Sequence, residues 1–231
     1  MQTLYAIGDI HGRDYLLEKI YQRIETDPYR LNRESKPLVI HIGDYIDGGP
    51  ESDKVLDRVM KGSDHFLSIA LLGNHEAMML DCLETDKRDV WWNWISNGGN
   101  KTLEVLGVST RFGYDPIALR EALGPDRITW LQNLPLYHIT APYLFVHAGI
   151  VPGRAIEDQK RKDLLWIRSR FLESKAQHDY IVVHGHTQMK APENLPNRIN
   201  IDTGEARPKT CLLYTSPSPR DQRGSRMPSS A

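Results

Sequence analysis

Five short apolar segments of this chain each end in a glycine-containing group of aspartate, histidine or asparagine. In chain order these groups read GDIHG, GDYIDGG, GNHE, VHAG and VHGHT. Short apolar runs bounded by turn residues indicate buried strands, and the longer amphipathic segments between the first three indicate helices. In such folds the ligand site lies beyond the carboxyl ends of the strands. The pattern therefore predicts an α/β fold whose polar strand ends converge on one site.

The hydrophobic periodicity predicts the individual elements. Strands are expected within residues 3–7, 37–42, 66–72, 143–148 and 180–185, and helices over 14–25 and 52–61. Residues 77–134 carry four of the five tryptophans and indicate a helix-rich insertion, interrupted at SNGGNKT and GPDR. We therefore expect an α/β sandwich with helices outside and a helical insertion.

Bulk composition limits the class of protein. A chain of 231 residues with 40% hydrophobic residues suits one globular domain. Its 29 basic and 30 acidic residues form no block of like charge, so neither nucleic acid nor a membrane surface is expected as a partner. No signal-like or membrane-spanning segment is evident, which predicts a soluble, cytoplasmic protein. Cys82 and Cys211 indicate neither a disulfide framework nor a thiolate metal site.

The polar strand ends favour a metal site over ordinary turn chemistry. One strand-end histidine is more often packed than a ligand, and a lone Gly-Asp turn is common. Five such groups in succession are harder to explain this way, and aspartate, histidine and asparagine together suit divalent manganese, iron or zinc. The remaining histidines are interpreted as packing or surface residues: His41, His65, His138 and His178. His184 stays open, because it lies two residues from His186 on the same face of a strand.

Taken together, the five motifs resemble the signature of the calcineurin-like metallophosphoesterases, specifically the bacterial and phage branch of the PPP-type serine/threonine protein phosphatases. The likeness runs from Thr3 to Gly204 and includes NGGNKTL, LLWIR and NRINIDTG outside the metal motifs. It implies the calcineurin-like sandwich fold and hydrolysis of phosphoserine or phosphothreonine in a phosphoprotein or phosphopeptide. The same metal motifs serve hydrolases of diadenosine tetraphosphate and other phosphoesters, so these activities remain alternatives.

The resemblance also implies a role for each motif residue. It implies two divalent ions, manganese first with iron or zinc as alternatives, and a metal-bound hydroxide that attacks phosphorus. The implied ligands are Asp9, His11 and the bridging Asp44 for the first ion, and Asn74, His147 and His186 for the second. His75 is the implied general acid, and Asp47 the carboxylate that orients it and raises its pKa. A turn-capping role is the alternative for Asp47.

One position departs from the family pattern. The family motif reads Gly-Asp-x-x-Asp-Arg-Gly, and its arginine binds the phosphate as a bidentate donor. This chain has Gly48 there. The resemblance implies Arg168 as the phosphate-binding replacement, beside Asn74, while an ordinary surface position is the alternative for Arg168. Arg13 and Arg170 are weaker candidates. The missing arginine also leaves open a weakly active, metal-binding regulatory module.

The end of the chain differs in composition from the rest. Residues 205–231 are rich in serine, proline and arginine and show no helical or strand period, which is typical of a disordered tail. Its segments CLLYTSPSPRD and SRMPSSA also resemble two parts of a translated transposase-type sequencing adapter, in order and in frame. We therefore predict a metallophosphoesterase domain over residues 1–210, truncated at its C-terminus. Residues 211–231 are predicted to be a non-native tail without a sheet strand.

Overall fold

The computed structural model describes residues 2–28, 35–204 and 212–215. The strands are β1 (Leu4–Ile7), β2 (Leu38–His41), β3 (Leu67–Ala70), β4 (Tyr137–Thr140), β5 (Tyr143–Val146), β6 (Ile181–His184), β7 (Glu193–Asn194), β8 (Arg198–Asn200) and β9 (Leu212–Thr215). The α-helices are α1 (Asp14–Glu25), α2 (Ser52–Lys61), α3 (Asn74–Cys82), α4 (Arg88–Trp94), α5 (Asn100–Leu106), α6 (Pro116–Leu123), α7 (Pro125–Gln132), α8 (Arg161–Trp166) and α9 (Ser169–Leu172). A π-helical turn (Ile95–Gly99) joins α4 to α5, and a 3-10 turn spans Ile156–Asp158.

The described strands form two sheets that pack face to face. One has the order β3-β2-β1-β9 and the other β4-β5-β6-β8-β7. The core between them includes Leu4, Ala6, Ile40, Ile42, Phe145, Val183 and Ile199. Alternate strand residues point outward, where Tyr5 and Val39 pack in the core of α1 and α2, and Val146 packs in the core of α8 and α9. Because the inner strands are buried on both faces, they appear in the sequence as continuous apolar runs.

The predicted sandwich with helices outside and a helical insertion is confirmed. All five predicted strands are present, and α1 and α2 have the predicted bounds. Sequence analysis missed β4, β7 and β8, because two to four residues with polar positions are too short to show a period. Within the described ranges, no helix combines the length and the apolar character needed to cross a membrane.

The helical insertion is interrupted at both predicted places. We call residues 88–132, from α4 to α7, the cap. Within SNGGNKT the backbone leaves the helical conformation at Asn97 (φ −97°, ψ 18°) and Gly98 (φ 102°), so the chain kinks in the π-helical turn before α5 begins at Asn100. Gly124, with φ of 77°, separates α6 from α7.

The prediction that residues 211–231 contribute no strand is wrong. The backbone of β9 pairs antiparallel with β1, with Leu4 opposite Thr215 and Ile7 opposite Leu212. Without β9, the edge of β1 that faces away from β2 would present a row of free N–H and C=O groups. A Leu-Leu-Tyr-Thr segment has a high β propensity and can pair with such an edge whatever its origin. Residues 205–211 and 216–231 lie outside the described residues. The non-native origin of the tail and the boundary at residue 210 stay predictions.

Candidate metal centre

The turns that follow β1, β2 and β3 are joined directly to one another. The backbone N–H of His11 donates to the carbonyl of Asp44 at 2.9 Å, and that of Gly12 donates to the carbonyl of Tyr45 at 2.8 Å. A Cβ atom on Gly73 would lie 2.2 Å from the Asp44 carboxylate, so the turn after β3 can approach this closely only with glycine. The three turns therefore form one rigid unit at the carboxyl ends of the strands.

The buried side chain of Glu76 holds the turns of this unit together by hydrogen bonds. Glu76 is fully buried in the first turn of α3. Its two oxygens accept the backbone N–H groups of Gly73 (3.1 Å), Asp44 (2.9 Å), Tyr45 (2.8 Å) and Ile46 (3.2 Å). Glu76 is the last residue of the GNHE motif and was not among the predicted site residues. Its position three residues after the helix N-cap is the capping-box spacing, which could have indicated its function.

Backbone strain is concentrated on residues with predicted site roles. In the described part of the chain, the non-glycine residues with positive φ are His11 (47°), Asp44 (55°), Asp47 (73°) and His186 (62°). Left-handed backbone costs an ordinary residue roughly 1–2 kcal/mol. Strain that persists at several neighbouring positions is typical of functional sites, where the surrounding structure holds the side chains in place.

Asp44 lies at the centre of the histidine cluster. Its Oδ2 is 3.4 Å from Nε2 of His147, 3.8 Å from Nε2 of His75 and 3.9 Å from Nε2 of His11. Burial alone would raise the pKa of Asp44, but the three histidines together hold it well below its usual range. A charged carboxylate shared by two groups of donors is the geometry that a bridging metal ligand requires.

The second group of donors contains Asn74, His147 and His186. The Oδ1 atom of Asn74 lies 2.7 Å from Nε2 of His147 and 2.8 Å from Nδ1 of His186. Burial lowers the pKa of His147, and burial together with His147 lowers the pKa of His186 to about 3. Burial thus favours the neutral imidazole at both positions, and this is the form in which histidine ligates a metal.

Asp9 lies beside these donors, next to His186. Its Oδ2 accepts the backbone N–H of His186 at 3.0 Å, while its buried Oδ1 has no hydrogen-bond partner in the described part of the chain. Burial raises the pKa of Asp9 well above its usual value, and the charges of Asp202 and Asp44 raise it further. Three carboxylates that repel one another in a buried place would be stabilised by a cation. Asp202 was not singled out by sequence analysis.

The orientation of the rings also fits bound metal. Nδ1 of His147 lies 2.9 Å from the carbonyl of Ile42, so that ring donates from Nδ1 and a neutral ring leaves a lone pair on Nε2. That lone pair faces Asn74 Oδ1 and Asp44 Oδ2, which are oxygen atoms that can accept but not donate. His11 likewise contacts a backbone carbonyl through Nδ1, at 3.1 Å. Metal-ligating histidines usually donate their other ring N–H to a carbonyl or carboxylate in this way. A divalent ion placed between the facing acceptor atoms would remove the repulsion between them.

His75 has two sets of contacts, because it is one of the convergent donors with His11 and Asp44 and it also pairs with Asp47. Nδ1 of His75 lies 2.6 Å from Oδ2 of Asp47, and the alternative of a turn-capping Asp47 does not account for this contact. Burial lowers the pKa of His75, but the charge of Asp44 and the hydrogen bond with Asp47 outweigh burial and raise it to about 9. Two cap residues that sequence analysis missed, Trp94 and Thr102, also donate to Asp47.

A cavity of about 370 Å³ opens onto His75 and onto most of the candidate ligands, namely Asp9, His11, Asp44, Asn74 and His186. Arg168 and Arg13 both line it. Nε of Arg168 donates to Nε2 of His186 at 3.2 Å, and Nη1 of Arg13 donates to the carbonyl of His11 at 2.9 Å. Gly48 and Arg170 are exposed and are not among its lining residues.

The histidines interpreted as packing residues stay apart from the cluster. Nε2 of His41 contacts the hydroxyl of Tyr21 at 2.8 Å, and burial lowers the pKa of His41 to about 4. His184, which the sequence left open, packs edge-on against Phe171, with its Nε2 3.4 Å from Arg198. Neither residue belongs to a group of convergent donors in the described residues.

Comparison with known proteins decides the family. A sequence profile described as calcineurin-like phosphoesterase matches residues 3–209. The chain belongs to the calcineurin-like phosphoesterase family. Its predicted resemblance to this family and to the bacterial PPP-type phosphatases is confirmed, and members of the family use divalent metal ions.

Individual relatives differ in their activities. Serine/threonine-protein phosphatase 1 of Salmonella typhimurium is 29% identical over 211 residues, which covers 87% of this chain and 86% of that protein. A symmetrical bis(5'-nucleosyl)-tetraphosphatase of Aromatoleum aromaticum is 30% identical over 159 residues, or 67% of this chain and 47% of that protein. The crystal structure of a protein proposed to be a diadenosine tetraphosphatase superposes with a TM-score of 0.60 at 20% identity, covering 93% of each chain. These matches support the calcineurin-like fold and the hydrolysis of phosphoesters, while the relatives differ from one another in the substrates that they are named for.

Replacing the central carboxylate tests the candidate ligands. We expect the purified chain to hold two equivalents of manganese and Asp44→Asn to hold fewer, because the variant removes a charge that both groups of donors share. Metal content is measured by inductively coupled plasma mass spectrometry after gel filtration, with the exposed Asp64→Asn as control. Two equivalents of manganese in Asp44→Asn would contradict the assignment.

Proposed function

We propose that this phosphoesterase removes phosphate from phosphoserine and phosphothreonine in proteins. The observation that carries the proposal is the His75–Asp47 pair beside the candidate metal ligands, with a contact of 2.6 Å between them. The alkoxide of serine or threonine is a poor leaving group, so its departure needs a proton donor at this place. The match to a serine/threonine phosphatase over 86% of that protein's length also supports it.

The candidate ligands divide into two sets that share Asp44. Asp9 and His11 would hold one ion with it, and Asn74, His147 and His186 would hold the other. Two divalent ions at these positions, with manganese as the first choice, would neutralise charge on the phosphoryl oxygens and activate water. The chain's own contribution is to orient these ligands, for example through the backbone carbonyls that contact Nδ1 of His11 and of His147.

The proton donor acts on the other side of phosphorus. As water forms the new bond to phosphorus, the bond from phosphorus to the serine oxygen breaks and its electron pair stays on that oxygen. Nε2 of His75 supplies the proton, so the products are a serine hydroxyl and inorganic phosphate. Asp47 binds Nδ1 and thereby turns Nε2 toward the cavity. Arg168 and the amide of Asn74 bind the phosphoryl oxygens, because both line the cavity.

Hydrolysis of dinucleoside tetraphosphates is the second candidate. The relative at 30% identity favours it, although that match spans 47% of the relative. Nucleobases bind by stacking on exposed ring faces. Among the described residues that line the cavity, Trp166 is the single aromatic residue besides histidine, and its ring lies edge-on to His186 at 84°. The cavity therefore favours a phosphorylated side chain.

A substrate panel with the purified chain and manganese tests the proposal. We expect turnover of p-nitrophenyl phosphate and of a phosphoserine peptide, and kcat/KM for diadenosine tetraphosphate at least about tenfold lower than for the peptide, a difference of about 1.4 kcal/mol. The same reactions after EDTA treatment serve as controls. A preference for diadenosine tetraphosphate would overturn the protein-phosphatase proposal. No turnover of any substrate would favour the regulatory module.

Two arginine variants test phosphate recognition. Arg168→Ala should lower kcat/KM for the phosphopeptide on the order of 10² to 10³, the cost of losing a charged donor to the phosphoryl group. Its exposed neighbour Arg170 supplies the control variant Arg170→Ala. Gly48→Arg should leave turnover unchanged and lower the free energy of unfolding by roughly 1–2 kcal/mol, because Gly48 has φ of 72°. A tenfold or greater rise in kcat/KM for Gly48→Arg, with an active Arg168→Ala, would show that the missing arginine had left the site impaired.

A further inference from the structure

Two residues of the cap anchor both oxygens of Asp47. The indole Nε1 of Trp94 donates to Oδ2 at 2.9 Å, and the hydroxyl of Thr102 donates to Oδ1 at 2.6 Å. Oδ2 is also the atom that His75 contacts, at 2.6 Å. Trp94, Thr102 and Asp47 are each 0% exposed, so water cannot replace a lost donor. The rotation of the Asp47 carboxylate is therefore set by the cap.

The hydroxyl of Thr102 also supports the backbone of Asp47. It lies 3.0 Å from the backbone N–H of Asp47 and 3.1 Å from Oγ of Ser52. A hydroxyl has one donor and two acceptor positions, so all three contacts can be satisfied at once. Asp47 has φ of 73°, and these hydrogen bonds stabilise that strained conformation.

The glycine pair of the π-helical turn permits this approach. A Cβ atom on Gly99 would lie 2.7 Å from the indole of Trp94, and one on Gly98 would lie 3.5 Å from Cβ of Asp47 and 3.3 Å from the backbone N of Gly48. Any side chain on Gly99 would therefore displace the indole. The SNGGNKT segment is thus the place where the cap contacts the turn after β2.

We propose that Trp94 and Thr102 are positioning residues for proton donation by His75. They hold the Asp47 carboxylate in one rotation, and that carboxylate holds the imidazole with Nε2 toward the cavity. The proposal rests on the phosphatase function proposed above. It makes the cap part of the proton-donating apparatus, while the sandwich carries the candidate metal ligands.

The consequence depends on the leaving group of the substrate. Loss of one anchoring hydrogen bond lets the carboxylate rotate, so the imidazole spends less time in the productive orientation. Outer-shell partners of this kind typically contribute about 10- to 100-fold. A phosphoserine peptide, whose alkoxide needs a proton, should show this loss. The nitrophenolate of p-nitrophenyl phosphate leaves without a proton, so its turnover should change far less.

The chain offers a matched control for each variant. Trp91 is also a fully buried tryptophan of α4, but its Nε1 donates to the carbonyl of Thr85 at 2.7 Å, so Trp91→Phe loses an indole donor without touching Asp47. Trp94→Phe and Thr102→Val are the test variants. Thr102→Ser keeps the hydroxyl and should restore the behaviour of the unmodified chain. His75→Asn, which removes the proposed acid, sets the upper limit of the effect.

Kinetics of both substrates and proton NMR of the imidazole N–H groups form the experiment. We expect Trp94→Phe and Thr102→Val to lose about 10- to 100-fold on the phosphoserine peptide, and much less on p-nitrophenyl phosphate, at unchanged manganese content. The Nδ1 proton of His75 should shift upfield in both test variants and stay in place in Trp91→Phe and Thr102→Ser.

Equal losses on the two substrates, or the same substrate difference in Trp91→Phe, would overturn the positioning role. If Trp94→Phe does not fold, the Thr102→Val and Thr102→Ser pair decides by itself. If the unmodified chain hydrolyses neither substrate, the proposed function fails, and the NMR shift alone then decides whether the cap orients His75.

Discussion

The buried carboxylate of Glu76 is the interaction on which the rest of the site depends. Four backbone N–H groups from two turns converge on its two oxygens. Three of them belong to consecutive residues of the turn after β2, where Asp44 has φ of 55°. Buried N–H groups must be paired, so this carboxylate makes an otherwise strained turn the stable one. The conformation of this turn then places Asp44 among the histidines.

The charged groups of the site and the uncharged donors that contact Asp47 come from different parts of the structure. The sandwich gathers carboxylates and imidazoles at its strand ends, and positive charge on the histidines around Asp44 keeps its pKa low despite burial. The cap adds donors that carry no charge, an indole and a hydroxyl, and directs both to Asp47. Neutral donors can fix a carboxylate without altering the charge that cations would meet nearby. The candidate metal ligands and the residues that contact Asp47 can therefore lie close together without changing each other's charge.

Much of the fold and of the candidate site could be predicted from the sequence. Asp9 and Asp44 follow buried strands, and Asn74 follows the partly exposed edge strand β3, all in segments with conspicuous glycines. Their convergence follows from parallel strand topology alone. Trp94 and Thr102 could not be found this way, because they lie on helices more than forty residues from Asp47 and periodicity does not report such contacts. The pairing of β9 with β1 was mispredicted, since tail composition does not tell whether a sheet edge nearby is open.

We infer that two groups of metal ligands share Asp44. A crystal grown with manganese, with diffraction recorded above and below the manganese absorption edge, tests this most directly. We expect two anomalous peaks about 3.5–4 Å apart, with the carboxylate of Asp44 in contact with both. A single peak, or two peaks of which Asp44 contacts only one, would contradict it.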